Sequence, residues 1–256
     1  MVKLCRLALL GSLLLSGQVL AEHLRMGADV WPPYADSKLP GNGLATALVS
    51  TALGRAGYTS EYVEVPPGRV LYDLEHDQYD LVIAAWKNSE REQIGQFSEP
   101  YLTTRVLLLQ RSDRSIRFET LSDLRVYRIA VMRGYRYSPQ FDTDKAQQKV
   151  KVNSLQTATR MLVAGRVDLV VEDELAAKYY LAKEPQKIRD QLQFFKRPLV
   201  ESGLHILVRK SHPRHEQIIV DFNRELRDMC EDGTYSRIFR QHGFTALDLT
   251  EGLSCR

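Results

Sequence analysis

The sequence predicts an α/β fold of two lobes, each a mainly parallel sheet flanked by helices. Strand and helix patterns alternate along the chain, which is the order from which parallel sheets are built. The segment LEHDQYDLVIAAW, from Leu74, also matches the segment LVAGRVDLVVEDE, from Leu162, at a separation of 88 residues. Because this match occurs once in each half of the chain, it favours two similar lobes over one long sheet.

The first half of the chain predicts a β-α-β-α-β order. HLRMGADV is the first strand, and a helix with Leu44, Leu48 and Ala52 on one face follows PGNG. YTSEYVEV is the second strand, residues 70–74 lie on a second helix, and YDLVIAAW is the third strand.

The second half predicts two crossings between the lobes. FSEPYLTTRVLLLQRS leaves the first lobe, residues 167–171 form a buried strand of the second, and FFKRPLVESGLHILVRKS returns. A closing helix is expected to pack on the first lobe through Ile218, Phe222, Leu226 and Met229. We therefore predict lobe 1 over residues 22–105 and 209–256, lobe 2 over residues 106–208, and a cleft between them.

The first 21 residues predict a cleavable secretory signal peptide and therefore a periplasmic protein. Lys3 and Arg6 precede the apolar run LALLGSLLLSG, which is short for a membrane span, and cleavage is expected after Ala21. Cys230 and Cys255 then remain and are expected to form one disulfide, the alternative being two unpaired thiols.

The charge balance and the motifs exclude several classes of function. Loss of Lys3 and Arg6 lowers the count of Lys and Arg from 35 to 33, against 32 acidic residues. This balance predicts no nucleic-acid partner. The sequence has no Gly-x-Ser-x-Gly, P-loop or His-Glu-x-x-His motif, and we interpret His212 and His215 as a surface pair. We expect a monomer without cofactor or metal.

One stretch, QYDLVIAAWKNSEREQIGQFSEPYL, resembles the signature of the bacterial extracellular solute-binding proteins of family 3. WPPYAD, IAVMRGYRY, GRVDLVVEDELAAKYY and EDGTYSRIFRQHG resemble further family segments in the family's order. The resemblance implies the two-lobed type II periplasmic-binding-protein fold and an amino acid or related small zwitterion as ligand. It also implies uptake through an ABC transporter, with the permease at the inner membrane as partner.

The resemblance assigns two charged residues to the ligand. Arg91 matches the residue that holds the ligand carboxylate, for which its planar fork is suited. Asp173 matches the acid that takes the ammonium group from the opposite lobe. Two alternatives stay open: Arg91 as a solvated surface charge, and Asp173 as the N-cap of the helix ELAAKYYL. We interpret Glu172 as a solvated neighbour.

Other ligand contacts follow from the same resemblance. Trp31 matches an aromatic residue that stacks on the ligand side chain, the alternative being a core tryptophan. The backbone from Ala84 to Trp86 is expected to offer carbonyl groups to the ammonium. Asp29 is a weaker candidate because the match there needs a gap of one residue.

A glycine-led loop is expected to hold the ligand carboxylate. Gly134 and the following N–H groups, of Tyr135 and Arg136, precede a predicted helix. Here the chain departs from the family, because Trp86, Tyr135 and Tyr137 stand near positions where small hydroxyl residues are common. The sequence leaves open whether these three rings face the cleft.

We expect a binding protein and not an enzyme. The alternative is a periplasmic cyclohexadienyl dehydratase, since the same fold hosts that enzyme, with Glu172 or Glu174 as the general acid. A third hypothesis is a ligand-sensing receptor without a transport role.

Overall fold

The computed structural model of the chain describes residues 21–66 and 68–244. The strands are β1 His23–Asp29, β2 Thr59–Val65, β3 Leu81–Trp86, β4 Gly95–Phe97, β5 Leu102–Arg111, β6 Arg128–Met132, β7 Gln148–Val152, β8 Leu169–Asp173, β9 Leu192–Phe194 and β10 Val200–Arg209. The helices are α1 Leu44–Arg55, α2 Val70–Glu75, α3 Arg91–Ile94, α4 Pro139–Thr143, α5 Leu155–Val163, α6 Glu174–Leu181, α7 Gln186–Arg189, α8 His215–Glu231 and α9 Thr234–Gln241. Short 3-10 helices cover Pro40–Asn42 and Leu121–Val126.

The strands of this part of the chain form one sheet in the order β2-β1-β3-β10-β5-β8-β6-β7. In addition, β4 pairs with β10 and β9 pairs with β5. In the first parallel set, β1 pairs with β2 and β3. In the second parallel set, β6 pairs with β7 and β8. β10 and β5 run antiparallel between the two sets and join them. The predicted α/β class with mainly parallel strands is confirmed.

The repeat of 88 residues corresponds to the same local structure in each set. The Asp80 carboxylate accepts a hydrogen bond from the backbone N–H of Arg25 at 2.8 Å, and the Asp168 carboxylate accepts one from Arg128 at 2.9 Å. The backbone N–H of each Asp in turn donates to the carbonyl of that same Arg at 2.8 Å. Each Asp therefore fixes the start of a buried strand, β3 or β8, against the first strand of its set.

The buried apolar residues follow the two sets. Those of the first set fall into two clusters. One packs with α1, α8 and α9, and α8 contributes to it the predicted face of Ile218, Phe222, Leu226 and Met229. The other packs with α2 and includes Val65 and Val82. Those of the second set fall into two clusters, because the side chains of β8 alternate between them: Val170 lies in one, and Leu169 and Val171 lie in the other. Burial on both faces is typical of parallel strands.

Four predictions about the chain's organisation concern the end of β8, the lobe boundaries, the signal peptide and the disulfide. β8 ends at Asp173, two residues beyond the predicted end, so the acidic pair is part of the strand. The lobe boundaries stay a prediction, with β5 and β10 as the segments that join the two parallel sets. The predicted signal peptide spans residues 1–21, of which residues 1–20 lie outside the described residues, as does the disulfide partner Cys255, so cleavage and pairing also stay predictions. No helix within the described ranges is both long enough and apolar enough to cross a membrane.

Candidate ligand-binding site

Asp173 lies where β8 passes directly into α6. Its Oδ1 accepts a hydrogen bond from the backbone N–H of Ala176 at 2.9 Å, so the side chain caps the helix as expected. Oδ1 also accepts a hydrogen bond from the hydroxyl of Tyr34 at 2.8 Å. The second oxygen, Oδ2, is buried without a hydrogen-bond partner among the described residues. A buried oxygen in this state is able to accept a hydrogen bond from a donor other than the described residues.

Burial governs the charge state of Asp173. The side chain is 2% exposed, and burial raises its pKa to about 7, although the hydrogen bonds from Ala176 and Tyr34 act in the opposite direction. Glu174 adds a smaller upward contribution to the pKa. No cationic side chain of the described residues is among the main influences on this pKa, and an incoming ammonium group would stabilise the charged form.

Arg91 lies at the start of α3, beyond the end of β3, and is half-buried. Its Nη1 donates to the carbonyl oxygen of Trp86 at 2.8 Å, which anchors the guanidinium to the end of the strand. Its Nε is buried and has no hydrogen-bond partner within the described ranges. Burial lowers the pKa of Arg91, whereas Glu90 and Asp29 raise it. Nε and Nη2 share one edge of the guanidinium, and this edge suits a carboxylate.

Aromatic rings connect the two charged residues. Tyr34, which bonds Asp173, lies against Trp31 with ring centroids 4.3 Å apart. Trp31 and Trp86 pack in a T-shaped arrangement with ring centroids 5.5 Å apart, and the carbonyl oxygen of Trp86 accepts the hydrogen bond from Arg91. Trp31 is half-buried, and its Nε1 is a further buried donor with no partner in the described part of the chain. The structure thus brings Trp31, Trp86, Arg91 and Asp173 into one continuous set of contacts.

Asp29, at the end of β1, belongs to the same region. Burial raises its pKa to about 6, against the opposing effects of a hydrogen bond with the backbone of Gly68 and of the charge on Arg91. Its Oδ1 is buried and has no partner among the described residues. The sequence identified this residue only weakly, and the structure places it close enough to Arg91 for the two charges to interact.

Glu172 corrects the sequence interpretation. The sequence predicts a solvated side chain, but only 3% of the residue is exposed, and its carboxylate accepts a hydrogen bond from the backbone N–H of Asp173 at 2.9 Å. Burial, with a smaller contribution from Asp173, raises its pKa to about 8. Its charge is also felt by Tyr135 and Tyr180, whose pKa values are raised mainly by burial and then by Glu172. Two adjacent buried carboxyls therefore end β8.

Tyr135 and Tyr137, in the loop after β6, have different surroundings. Tyr135 is half-buried, and the charges of Glu172, Asp29 and Asp173 all contribute to its raised pKa, after burial. Tyr137 is a core residue, because it is 6% exposed and its hydroxyl accepts a hydrogen bond from the backbone N–H of Met132 at 2.8 Å. Tyr137 therefore lies in the core, whereas Tyr135 lies near the acidic residues of the site.

The remaining candidates are less enclosed. Gly134 has a φ of 85°, in the region that favours glycine, and both it and Arg136 are exposed. The next helix, α4, begins only at Pro139 and is capped by the Ser138 side chain, so its start is separated from Gly134 by four residues. Ala84 is half-buried in β3 and packs against the apolar cluster that includes α1, α8 and α9.

Sequence reasoning missed Tyr34. The backbone of its loop is held by the start of α1, because the N–H of Leu44 donates to Pro33 and that of Ala45 donates to Tyr34, both at 2.9 Å. Gly43 makes this approach possible, since its φ is 99° and a Cβ there would lie 2.5 Å from the Tyr34 carbonyl oxygen. The only sequence signal was the position of Tyr34 within WPPYAD.

The possible metal ligands in the part of the chain that the structure describes are its His, Cys, Asp and Glu side chains. Within residues 21–66 and 68–244, no three or more His, Cys, Asp or Glu side chains are grouped to hold a metal ion. The expectation of a surface pair at His212 and His215 is wrong for His212, which is 6% exposed with its Nε2 3.6 Å from the Glu22 carboxylate. The site chemistry is therefore that of opposite charges, unpaired hydrogen-bonding atoms and aromatic rings.

Comparison with known proteins identifies the family to which this geometry belongs. The model of the bacterial extracellular solute-binding proteins, family 3, matches residues 24–245. The chain belongs to this family. It is therefore a solute-binding protein, and its fold is the type II periplasmic-binding-protein fold.

Named members of this family and solved structures resemble the chain over most of its length. A probable histidine-binding protein of Campylobacter jejuni is 26% identical over 211 residues, 81% of this chain and 78% of the relative. The L-cystine-binding protein TcyA of Bacillus subtilis is 23% identical over 203 residues, 78% of this chain and 71% of the relative. A mutant arginine-binding protein of T. maritima has a TM-score of 0.69 at 24% identity, covering 86% of this chain and 94% of that structure. An ancestral amino acid-binding protein, described as a precursor of cyclohexadienyl dehydratase, has a TM-score of 0.64 at 21% identity, covering 86% and 94%.

Proposed function

We propose that the chain captures an amino acid or a related small zwitterion between Arg91 and Asp173 and delivers it to an ABC transporter. The observation that carries the proposal is the pair of buried, unpartnered atoms on groups of opposite charge, Nε of Arg91 and Oδ2 of Asp173. A carboxylate would complete the first and an ammonium group the second. Both contacts would gain strength from the exclusion of water.

The relatives support the same class of ligand. The Campylobacter jejuni and Bacillus subtilis relatives are named for binding histidine and cystine, and the T. maritima protein is named for binding arginine. The family also supports a periplasmic location and a permease in the inner membrane as partner. We propose that the two parallel sets form the two lobes of a clamp and that β5 and β10 are its hinge.

A thermal-shift screen tests the ligand class. We expect at least one amino acid to raise the melting temperature of the chain from Glu22 onward by about 5–10 °C at 100 times its Kd. The N-acetyl derivative and the methyl ester of the same amino acid are the matched controls, because each lacks one of the two charges. Stabilisation by the amino acid and by both derivatives alike would contradict a site that reads both charges.

A second candidate function, that of a dehydratase, rests on Glu172. Burial raises its pKa to about 8, so the carboxyl is mostly protonated at neutral pH, the state that a general acid requires. The neighbour described as a precursor of cyclohexadienyl dehydratase shares the fold. Binding explains more of the site, because it also accounts for the unpartnered atoms of Arg91 and Asp173.

We expect the purified protein to leave prephenate unchanged. Phenylpyruvate is measured by the absorbance of its enolate in alkali, with an active dehydratase as the positive control and Glu172→Gln as the matched variant. Formation of phenylpyruvate by the wild type, and its loss in Glu172→Gln, would replace the binding proposal with the enzymatic one.

A further inference from the structure

We propose that Tyr34 is a positioning residue for ligand binding: its hydroxyl holds Oδ1 of Asp173, and this leaves Oδ2 as the oxygen that meets a ligand ammonium. The inference rests on the proposed function, since it assigns a separate task to each oxygen of the proposed ammonium-binding carboxylate.

The geometry separates the two oxygens of Asp173. Oδ1 accepts two hydrogen bonds, at 2.8 Å from the Tyr34 hydroxyl and at 2.9 Å from the backbone N–H of Ala176. Oδ2 is buried and has none within the described ranges. Two donors on one oxygen fix the plane of the carboxylate, so the direction of the second oxygen is fixed as well.

Tyr34 is itself held in place from three sides. The residue is 0% exposed, so its hydroxyl has no route to bulk water. Its carbonyl oxygen accepts a hydrogen bond from Ala45 at the start of α1, and its ring lies 4.3 Å from that of Trp31. A side chain anchored in this way loses little further conformational entropy when it orients another group.

The contact also joins the two parallel sets. Tyr34 follows β1 of the first set, and Asp173 ends β8 of the second, at a separation of 139 residues. The hydroxyl thus fixes Asp173 relative to Trp31, which belongs to the same loop as Tyr34 and contacts Trp86, the residue that holds Arg91. This one hydrogen bond therefore helps to fix the position of Asp173 relative to Arg91.

Several neighbouring groups contribute to the pKa of Asp173, and a titration must distinguish the contribution of Tyr34 from theirs. Burial is the main cause of its raised pKa, and the Tyr34 hydrogen bond is among the contributions that lower it. Glu174 on the same helix also acts on Asp173, but it is paired with Arg105 and Lys178. The other ionisable groups of the region are Glu172, Asp29, Tyr135 and Tyr180. The charges of Glu172 and Asp29 contribute to the pKa of Tyr135, and that of Glu172 contributes to the pKa of Tyr180.

Tyr34→Phe removes the hydroxyl and keeps the ring, so it tests the proposal without opening a large cavity. In the ligand-free chain labelled with ¹³C at aspartate, we expect the titration midpoint of Asp173 to rise by about one pH unit. The resonance is assigned by its absence in Asp173→Asn. The sign follows because the lost hydrogen bond stabilised the carboxylate. An unchanged midpoint overturns the proposal.

Binding supplies the second readout. L-Arginine, L-histidine and L-cystine are titrated in a calorimeter, and we expect Tyr34→Phe to weaken the best of them about tenfold. Tyr235→Phe is the matched control, because it removes another buried hydroxyl, which donates to the carbonyl of Tyr101 at 3.0 Å and not to Asp173. We expect the control to keep the wild-type affinity and the wild-type Asp173 midpoint.

The outcomes are distinguishable. Support requires both the raised midpoint and the weaker binding, and a loss of affinity with an unchanged midpoint would reduce Tyr34 to a structural role. Equal effects of Tyr235→Phe would overturn the proposal. If the wild type binds none of the three amino acids, the proposed function loses its support, and the titration then tests only whether Tyr34 positions the Asp173 carboxylate.

Discussion

Arg91→Ala is expected to weaken ligand binding about 100-fold or more, because it removes the cation that meets the ligand carboxylate. Arg91→Lys is expected to weaken binding about tenfold, since an ammonium group keeps the charge but not the planar edge formed by Nε and Nη2. Isothermal calorimetry with the ligand found in the thermal screen measures both.

The matched control for this prediction is Arg227→Ala. Arg227 lies on α8, is exposed and pairs with Glu99 at 3.2 Å, so its removal changes the net charge of the protein by the same amount. We expect its affinity to equal that of the wild type. If the Arg91→Ala variant binds the ligand as tightly as Arg227→Ala does, Arg91 does not contact the ligand carboxylate and the alternative of a surface charge holds.

Asp173→Asn is expected to abolish most binding and, at the same time, to raise the melting temperature of the ligand-free protein at pH 8 by about 2–4 °C. The Asn side chain keeps an oxygen for Tyr34 and Ala176 but carries no charge to meet an ammonium. It also removes a buried carboxylate whose charged form is unfavourable in the free protein. Calorimetric binding and differential scanning calorimetry measure the two effects.

The pH dependence of this effect follows from the direction of the pKa shift. Asp173 has a folded pKa of about 7, above its ordinary value of 3.8, so the folded state retains a proton that the unfolded state has lost. The ligand-free protein therefore loses stability as pH rises from about 4 to 7. Ligand affinity changes the other way: it rises up to about pH 7, because the ammonium prefers the carboxylate.

Asp173→Asn isolates this contribution from those of its neighbours. Asp29 and Glu172, with pKa values of about 6 and 8, titrate in the same range and remain in the variant. We expect the stability of the variant to depend less on pH between 4 and 7 than that of the wild type. Curves of the same slope would mean that Asp173 is not the buried acid that governs this range.

Much of the fold was predictable because its signals are local. The alternation of strands and helices and the apolar face of α8 depend on residues close together in the chain. Asp80 and Asp168 each precede an apolar strand, so the repeat of 88 residues was visible in the sequence, whereas their hydrogen bonds to Arg25 and Arg128 were not. Arg91 and Asp173 were recognised for the same reason, within short segments typical of the family.

What the sequence could not predict depends on distant contacts. The sequence predicted a strand that ends at Val171, with Glu172 beyond it as a solvated neighbour of Asp173. Both are buried instead, and Tyr34, which bonds Asp173, is remote from it in the chain. Tyr137 lies in the core, where its hydroxyl accepts a hydrogen bond from the backbone N–H of Met132 in β6. The sequence GYRY does not indicate this contact.

The most direct test of the two-charge site is a crystal structure of the chain with the best ligand of the thermal screen. We predict that the ligand carboxylate lies within hydrogen-bond distance of Nε of Arg91 and that its ammonium lies within hydrogen-bond distance of Oδ2 of Asp173. Tyr34 is expected to keep its bond to Oδ1. A ligand bound elsewhere, or one that leaves both of these atoms without a partner, would contradict the proposed site.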